Sequence, residues 1–226
     1  MRSLSDVAAG EVRWHRERRG LTRDQLADAC ARNGAPQLTY SALVNIETGR
    51  KDKQTKQRRR DITVDELAVL AYSLGVPPVA LLFPVGREEY SEIEPLPGHT
   101  ALTWDALRWF TGEGPLPTKA PDGAERPWAV RNEDFADWRA DRAGLDDYRW
   151  HERYLEEWRG DRKEAARARS ATAREEAEAR AAEAAPKLWD VRVRLRQKGL
   201  RLPELPAELA HIDADDYRPD WGWTNR

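Results

Sequence analysis

The sequence has few of the residues on which disulfide-bonded, metal-binding and membrane-spanning proteins depend. Its 226 residues include one cysteine, Cys30, and four histidines that are scattered along the chain. A single cysteine excludes a disulfide framework within the chain, and no zinc-ligand spacing is present. No apolar run approaches the ~20 residues of a membrane span, and the N-terminus lacks the pattern of a signal peptide. We therefore predict a cytoplasmic protein without a metal or another cofactor and without a membrane partner.

Catalytic arrangements are also missing from the sequence. It contains no Ser, His and Asp combination of the kind that supports nucleophilic catalysis, no metal cluster and no Gly-rich loop for a phosphate group. The four histidines have no evident partners, so we interpret each as a surface or structural residue: His15, His99, His151 and His211. These absences predict that the protein is not an enzyme.

Charge is divided unevenly along the chain. Residues 1–85 carry 14 Lys and Arg against 10 Asp and Glu, whereas residues 86–226 carry 24 against 30. The excess of positive charge in the first part is typical of a surface that faces nucleic acid, and the acidic remainder suggests a second region with another role.

Residues 1–85 contain the signals of five short helices. Thr22, Thr39 and Thr63 each precede an apolar helical pattern and are good N-caps. Gly20 and Gly49 follow the first and third patterns and are expected to end those helices. Five helices in so short a segment predict an all-α domain.

Three segments of this region resemble the lambda-repressor/Cro (XRE) family of helix-turn-helix proteins. They are "RWHRERRGLTRDQLADA", "LTYSALVNIETGR" and "ITVDELAVLAYSLGVPPVALL", and they occur in the family's order over about residues 7–84. The resemblance implies a five-helix DNA-binding domain in which the second helix lies across the DNA backbone and the third enters the major groove.

The resemblance also implies roles for individual residues. Tyr40, Ser41 and Asn45 match the family's base-contacting positions, and an Asn amide is suited to adenine because it can pair with N6 and N7 together. Arg16 and Glu47 match a family ion pair between the first and third helices. The turn before the third helix is longer here by about half a dozen residues, which leaves the angle of that helix open.

A basic segment follows the third helix, from residue 50 to residue 61. Such charge runs are often only solvated, but its position beside the recognition helix favours contact with phosphates or the minor groove. Together with Arg23, which matches a phosphate-holding family position, the residues that we assign to the DNA backbone are Arg23, Thr39, Arg50, Lys51, Lys53, Arg58, Arg59 and Arg60.

Residues 86–131 are rich in Pro and Gly and predict a connector with one short helix. Thr103 is its expected N-cap, Trp104, Leu107 and Phe110 are its apolar positions, and Gly112 is expected to end it. The string "TALTWDALRWFTGEGPLP" resembles segments that follow such helix-turn-helix domains in actinobacterial regulators of unassigned activity.

Residues 132–226 predict a helical region that contains a long helix beginning at Asn132. Residues 159–185 have no Leu, Ile, Val or aromatic residue, so this part is either an exposed helix, an alanine-lined contact with a partner, or partly disordered; we favour an exposed or partner-packed helix. Residues 188–195 fit a helix better than a strand. Beyond them, "LPELPAEL" predicts either an ordered wrap or a tail that docks on a partner.

Nine of the ten tryptophans lie after residue 100. We interpret them as anchors of a small core or an oligomer interface rather than as a site for a small-molecule effector. The sequence as a whole predicts a sequence-specific regulator of transcription, expected to be a repressor, that binds double-stranded DNA as a homodimer joined through residues 86–226. The alternative is a protein-interaction module on the same fold, such as an antitoxin or a phage assembly adaptor.

Overall fold

A computed structural model describes residues 2–49, 60–119, 125–127 and 132–219. Contacts divide the chain into two compact units, Met1–Asn132 and Glu133–Arg226. Both units are mostly helical, and the second contains a long helix. Within the described ranges no helix is both long enough and apolar enough to cross a membrane.

Five helices open the first unit, at the places where the sequence predicts them. Thr22, Thr39 and Thr63 each accept a hydrogen bond from a backbone N–H of the following first turn, and Gly49 ends the third helix in the left-handed conformation at φ 58°. The helices are α1 (Leu4–Arg18), α2 (Arg23–Arg32), α3 (Tyr40–Thr48), α4 (Val64–Leu74) and α5 (Pro78–Leu82).

The inner faces of these helices form one apolar core. Leu26 and Cys30 of α2 meet Leu43 of α3 and Leu70 of α4, and all four are fully buried. Burial of Cys30 fits the small apolar role expected of a lone cysteine in a core. Because each helix contributes one stripe to a shared core, the orientation of α3 is set by its buried face.

The expected all-α fold is wrong for the segment after α5, which also contains strands. A hairpin is formed by β1 (Glu92–Leu96) and β2 (His99–Leu102), and two further antiparallel strands are β3 (Pro117–Lys119) and β4 (Glu125–Pro127), in the sheet order β1-β2-β3-β4. The turn is made by Gly98, whose N–H donates to the Glu94 carboxylate at 2.5 Å. Two prolines in β1 and its turn conceal the alternating strand pattern, since proline is depleted in strands.

The predicted short helix is present as α6 (Thr103–Phe110), but its expected cap is wrong. The N-cap position is Leu102, and the hydroxyl of Thr103 instead donates to the backbone carbonyl of Tyr90. Thr103 is buried while Trp104 is exposed, so the threonine ties α6 to the preceding chain. Gly112 follows the helix at φ 73°, as expected.

The predicted connector packs against α1. Tyr90 lies on Gly10, where an added Cβ would collide with its hydroxyl oxygen, and Ser3 forms a β-bridge with Glu94. A second apolar cluster contains Val7 and Ala8 of α1 together with Leu82, Phe83, Tyr90, Ile93, Ala101, Ala106 and Leu116. The described residues up to 116 therefore share two adjoining cores within the first unit.

The described part of the second unit contains three helices and a 3-10 segment. They are α7 (Asn132–Arg167), α8 (Ala171–Ala182), α9 (Ala184–Gln197) and the 3-10 turn Ala207–Asp213. Leu188 and Leu195 are fully buried at helical spacing, which decides between the helix and the strand that the sequence allowed there. The proline-rich segment is ordered and ends with Leu209 and Ile212 in the apolar cluster of this unit.

The alanine-rich segment is not one continuous exposed helix. It breaks between α7 and α8, where the Ser170 hydroxyl accepts a hydrogen bond from the Ala173 N–H and caps α8. Arg180 of α8 then reaches back to Asp161 and Glu164 of α7, at 3.0 and 2.8 Å. Ala165, Ala177, Ala181 and Ala184 are buried, so this segment has a packed alanine side.

Candidate nucleic-acid interface

Helix α3 separates a buried face from an exposed polar face. Leu43, Ile46 and Glu47 are buried, whereas Tyr40, Ser41, Asn45 and Thr48 are exposed. At 100° per residue the exposed positions fall on one side of the helix. They carry a phenol, two hydroxyls and an amide, so this face can both donate hydrogen bonds to base edges and accept them.

A buried carboxylate fixes the opposite face of α3 to two neighbouring helices. The side chain of Glu47 is 0% exposed. Its Oε1 accepts from Arg16 Nε at 2.6 Å, and its Oε2 accepts from Arg16 Nη2 at 2.8 Å. Arg23 Nε of α2 donates to the same Oε2 at 2.9 Å. One carboxylate thus links α1, α2 and α3 through a bidentate pair and a third charged hydrogen bond.

The Arg16 guanidinium makes further hydrogen bonds beside those to Glu47. Besides Glu47, it donates from Nη1 to the backbone carbonyl of Leu21 at 2.9 Å and from Nη2 to Glu17 at 3.3 Å. The hydrogen bond with Glu47 is the main cause that raises the pKa of Arg16. Because Arg16 holds both α3 and the turn that starts α2, it sets the relative position of the two helices of the motif.

The other residues assigned to the DNA backbone lie in different situations. Arg23 is partly exposed and anchored by Glu47, and the Thr39 hydroxyl serves as the cap of α3. Arg60 pairs with Glu66, the capping-box residue of α4, although most of its side chain is exposed. Five of the assigned residues lie outside the described part of the chain: Arg50, Lys51, Lys53, Arg58 and Arg59.

The long turn between α2 and α3 is packed into the core. Ala35 and Leu38 are buried, the Ala35 N–H donates to the Cys30 carbonyl at 2.9 Å, and the Asn33 amide donates to the Ser73 hydroxyl of α4 at 2.9 Å. The additional residues therefore contribute their own apolar anchors and a tie to α4. Sequence reasoning left the angle of α3 open because this turn is longer than in the family it resembles, and buried anchors within the turn could not be identified from its composition.

A polar group on α1 was missed by sequence reasoning. Glu11 is buried and lies 3.5 Å from Arg87 Nε, and burial raises the pKa of Glu11. Arg87 in turn stacks on the Trp14 ring at 4.2 Å. The available signal was the position of Glu11 four residues after Val7, which places a carboxylate within the apolar stripe of α1.

The second unit contains a buried polar network that includes one of the four histidines. His151 is 1% exposed, and its Nε2 lies 2.9 Å from Arg192 Nη1. Arg192 also donates to Asp213, at 2.8 Å from Nε and 2.5 Å from Nη2. Burial, followed by the Arg192 charge, lowers the pKa of His151 to about 4. The sequence signal was again positional, since Arg192 lies four residues after Leu188 in the apolar stripe of α9.

The comparisons with known proteins add no relative to this picture. The chain matches no family model, no curated protein and no solved structure. Among the residues that the structure describes, no group of three His, Cys, Asp or Glu side chains could hold a metal ion. The geometry around α3 is therefore the basis on which a function can be assigned.

Proposed function

We propose that this protein is a sequence-specific regulator of transcription that binds double-stranded DNA with a lambda-repressor/Cro-type helix-turn-helix domain, and that it acts as a repressor. The observation that supports this most is the division of α3 into two faces. Its inner face is held by apolar contacts and by the Glu47 carboxylate, while its outer face presents Tyr40, Ser41 and Asn45. A rigid helix with a free polar face is suited to the major groove.

In this proposal, different residues contact the bases and the phosphates of the DNA. Asn45 offers a donor and an acceptor on one amide, which matches the N6 and N7 edge of adenine. Arg23 is suited to a phosphate because its Nε is fixed by Glu47 at 2.9 Å while the side chain remains partly exposed. The basic segment that includes Arg58, Arg59 and Arg60 adds attraction that does not depend on sequence.

The first test identifies a target and then removes one base contact. Selection of bound sequences from a random DNA pool yields a site, and fluorescence anisotropy measures affinity for that site and for random DNA. Asn45→Ala should weaken the selected site by about 1–3 kcal/mol and leave random DNA nearly unchanged. Ala31→Ser, an uncharged change at an exposed position of α2 outside the assigned sites, is the control and should alter neither affinity.

The second test removes charge from the basic segment. The triple change Arg58→Ala, Arg59→Ala and Arg60→Ala should weaken the selected site and random DNA alike. It should also flatten the dependence of log K on log salt by about 0.9 for each phosphate that the variant no longer neutralises. A weakening confined to the selected site would instead make this segment a determinant of specificity. Arg60 pairs with Glu66, so the triple change also removes that ion pair. The double change Arg58→Ala and Arg59→Ala keeps the pair and measures the removal of charge alone.

The same proposal includes a homodimer, because one helix-turn-helix unit contacts few base pairs and two half-sites about 34 Å apart are the usual solution. The sequence assigns the dimer contact to residues 86–226, and light scattering on the full chain measures assembly. Selection that enriches no DNA sequence would favour the alternative of a protein-interaction module on the same fold. A small-molecule effector is not required by the proposal.

A further inference from the structure

The most exposed large apolar side chains of the described chain lie together on α4. Val64 is 82% exposed and Tyr72 is 76% exposed, more than any other large apolar side chain in the described ranges. Ala68, midway between them, is also exposed. Their spacing of four residues places the three side chains in one line along the helix. We call Val64, Ala68 and Tyr72 the α4 row.

The α4 row is not part of the core of the first unit. The buried positions of α4 are Glu66, Leu70, Ala71 and Leu74; Glu66, Leu70 and Leu74 lie on the side of the helix away from the row, and Ala71 borders it. Single exposed apolar residues are normal on protein surfaces, but adjacent ones on one helix face are typical of a contact with another molecule. We therefore expect another molecule to cover the α4 row.

We propose that the α4 row is a self-association surface, and that its occupant is α4 of a second copy of this chain. A two-fold axis at Ala68 would pair the helices antiparallel and bring Val64 of each copy opposite Tyr72 of the other. Such an interface is self-complementary, because the small Ala68 allows close approach at the centre while a smaller side chain faces a larger one at each end. Val64 and Tyr72 are about 12 Å apart along the helix axis at 1.5 Å per residue.

Charges at the two ends of the row agree with the antiparallel arrangement. Asp61 and Asp65 are exposed at its N-terminal end. At the C-terminal end lies Arg19, whose Nη2 donates to the carbonyl of Gly75 at 3.2 Å. An antiparallel partner would place its Arg19 near Asp61 and Asp65, whereas a parallel partner would place like charges together. Opposite charges across an interface select orientation more than they add affinity.

This surface uses none of the residues assigned to DNA, so the inference does not depend on the proposed function. It places a contact between copies in the first unit, whereas the sequence assigned the dimer contact to residues 86–226. Cross-linking of the full chain in the absence of DNA distinguishes the two surfaces.

Cysteine cross-linking tests the arrangement directly, because Cys30 is the only cysteine in the sequence and is buried. Ala68→Cys in the full chain should form a disulfide-linked dimer under mild oxidation with oxidised glutathione, since the proposed axis passes through this position. Val64→Cys and Tyr72→Cys should cross-link little on their own and readily when mixed. Trp104→Cys, at another exposed apolar position, is the control and should remain monomeric on a non-reducing gel.

Several results would overturn the proposal. In one such result, light scattering shows a dimer but Ala68→Cys cross-links no faster than Trp104→Cys. The contact between copies would then lie in residues 86–226. Ready cross-linking of Val64→Cys with itself would exclude the antiparallel register. Ala68→Glu provides a second measurement: it should make the full chain monomeric while its circular dichroism spectrum stays unchanged, and Trp104→Glu should not. A monomeric unaltered chain throughout the micromolar range would also refute the proposal.

Discussion

Removal of the Glu47 carboxylate should loosen α3 more than removal of either arginine that binds it. Glu47 accepts three hydrogen bonds, at 2.6, 2.8 and 2.9 Å, and the side chain of its main partner Arg16 is only 8% exposed. Glu47→Leu would leave that buried cation without its carboxylate. Loss of one partner from a buried pair costs about 3–5 kcal/mol, so we expect a destabilisation of that size.

The network predicts an asymmetry between its members. After Arg16→Met, Glu47 keeps the hydrogen bond from Arg23, so this change should cost less, about 2–3 kcal/mol. The double change Arg16→Met and Glu47→Leu removes both buried charges and should cost less than Glu47→Leu alone. The coupling free energy then exceeds the cost of Arg16→Met, so it is at least about 2 kcal/mol.

Hydrogen exchange resolved by mass spectrometry on the full chain is the appropriate assay, because two compact units need not unfold as one. Protection of the backbone amides of α3 reports the local free energy of opening. Arg13→Met is a matched control, since its ion pair with Glu17 is exposed and should contribute little. Plain additivity of the two changes in α3 protection would show that Arg16 and Glu47 do not stabilise each other, and the recognition helix would then not be fixed by this pair.

Buried groups give two further predictions. His151 has a folded-state pKa of about 4 against an ordinary value of 6.5. As the pH falls, the unfolded chain therefore binds a proton at this histidine before the folded chain does, and folding loses stability. The free energy of opening measured at α9 should be highest above pH 6.5 and lower by about 2 kcal/mol at pH 5. His151→Gln should remove that dependence, and an unchanged pH profile in this variant would assign it to other groups. In the first unit, Gly10→Ala should destabilise the fold by about 1–3 kcal/mol because the new Cβ meets the Tyr90 hydroxyl. Tyr90→Phe removes that hydroxyl and should relieve most of the destabilisation. If Gly10→Ala lowers the melting temperature equally with and without Tyr90→Phe, the collision is not its cause.

The helices of the first unit were predictable because their signals are local. A threonine cap, an apolar stripe and a terminal glycine lie within a few residues of one another, and α2, α3 and α4 begin at the residues following their predicted caps. The exposed face of α3 follows from the same periodicity. These features need no knowledge of the rest of the chain.

The sheet could not be predicted in the same way, because prolines mask its local hairpin and only part of its pairing joins distant residues. The β1–β2 pairing includes Ile93 with Ala101, and the edge of β1 meets Ser3 near the N-terminus. Proline in this segment weakens the only local signal. Tertiary contacts also decide the role of Thr103, whose hydroxyl bonds to the Tyr90 carbonyl instead of capping its own helix.

Polar residues inside apolar stripes were the clearest missed signal. Glu11 and Arg192 both stand at helical spacing from buried aliphatic residues, and both are buried among charged partners. A sequence pattern shows that such a residue is misplaced on an apolar face, but it does not show which partner neutralises it. For Arg192 the partner Asp213 lies 21 residues away, beyond any spacing rule for a single helix.

The extended turn before α3 indicates why the motif can tolerate its additional residues. The entropic cost of closing a loop grows slowly with its length. A longer turn between two helices therefore disturbs their geometry only if it contributes no buried anchors of its own. Here Ala35 and Leu38 supply buried anchors, and Asn33 ties the turn to Ser73 of α4 at 2.9 Å. The position of α3 is then determined twice, by this turn on one side and by the Glu47 carboxylate on the other. Its outer face is consequently free to change in sequence without a change in the pose of the helix, which is the property that a DNA-binding module needs to acquire new targets.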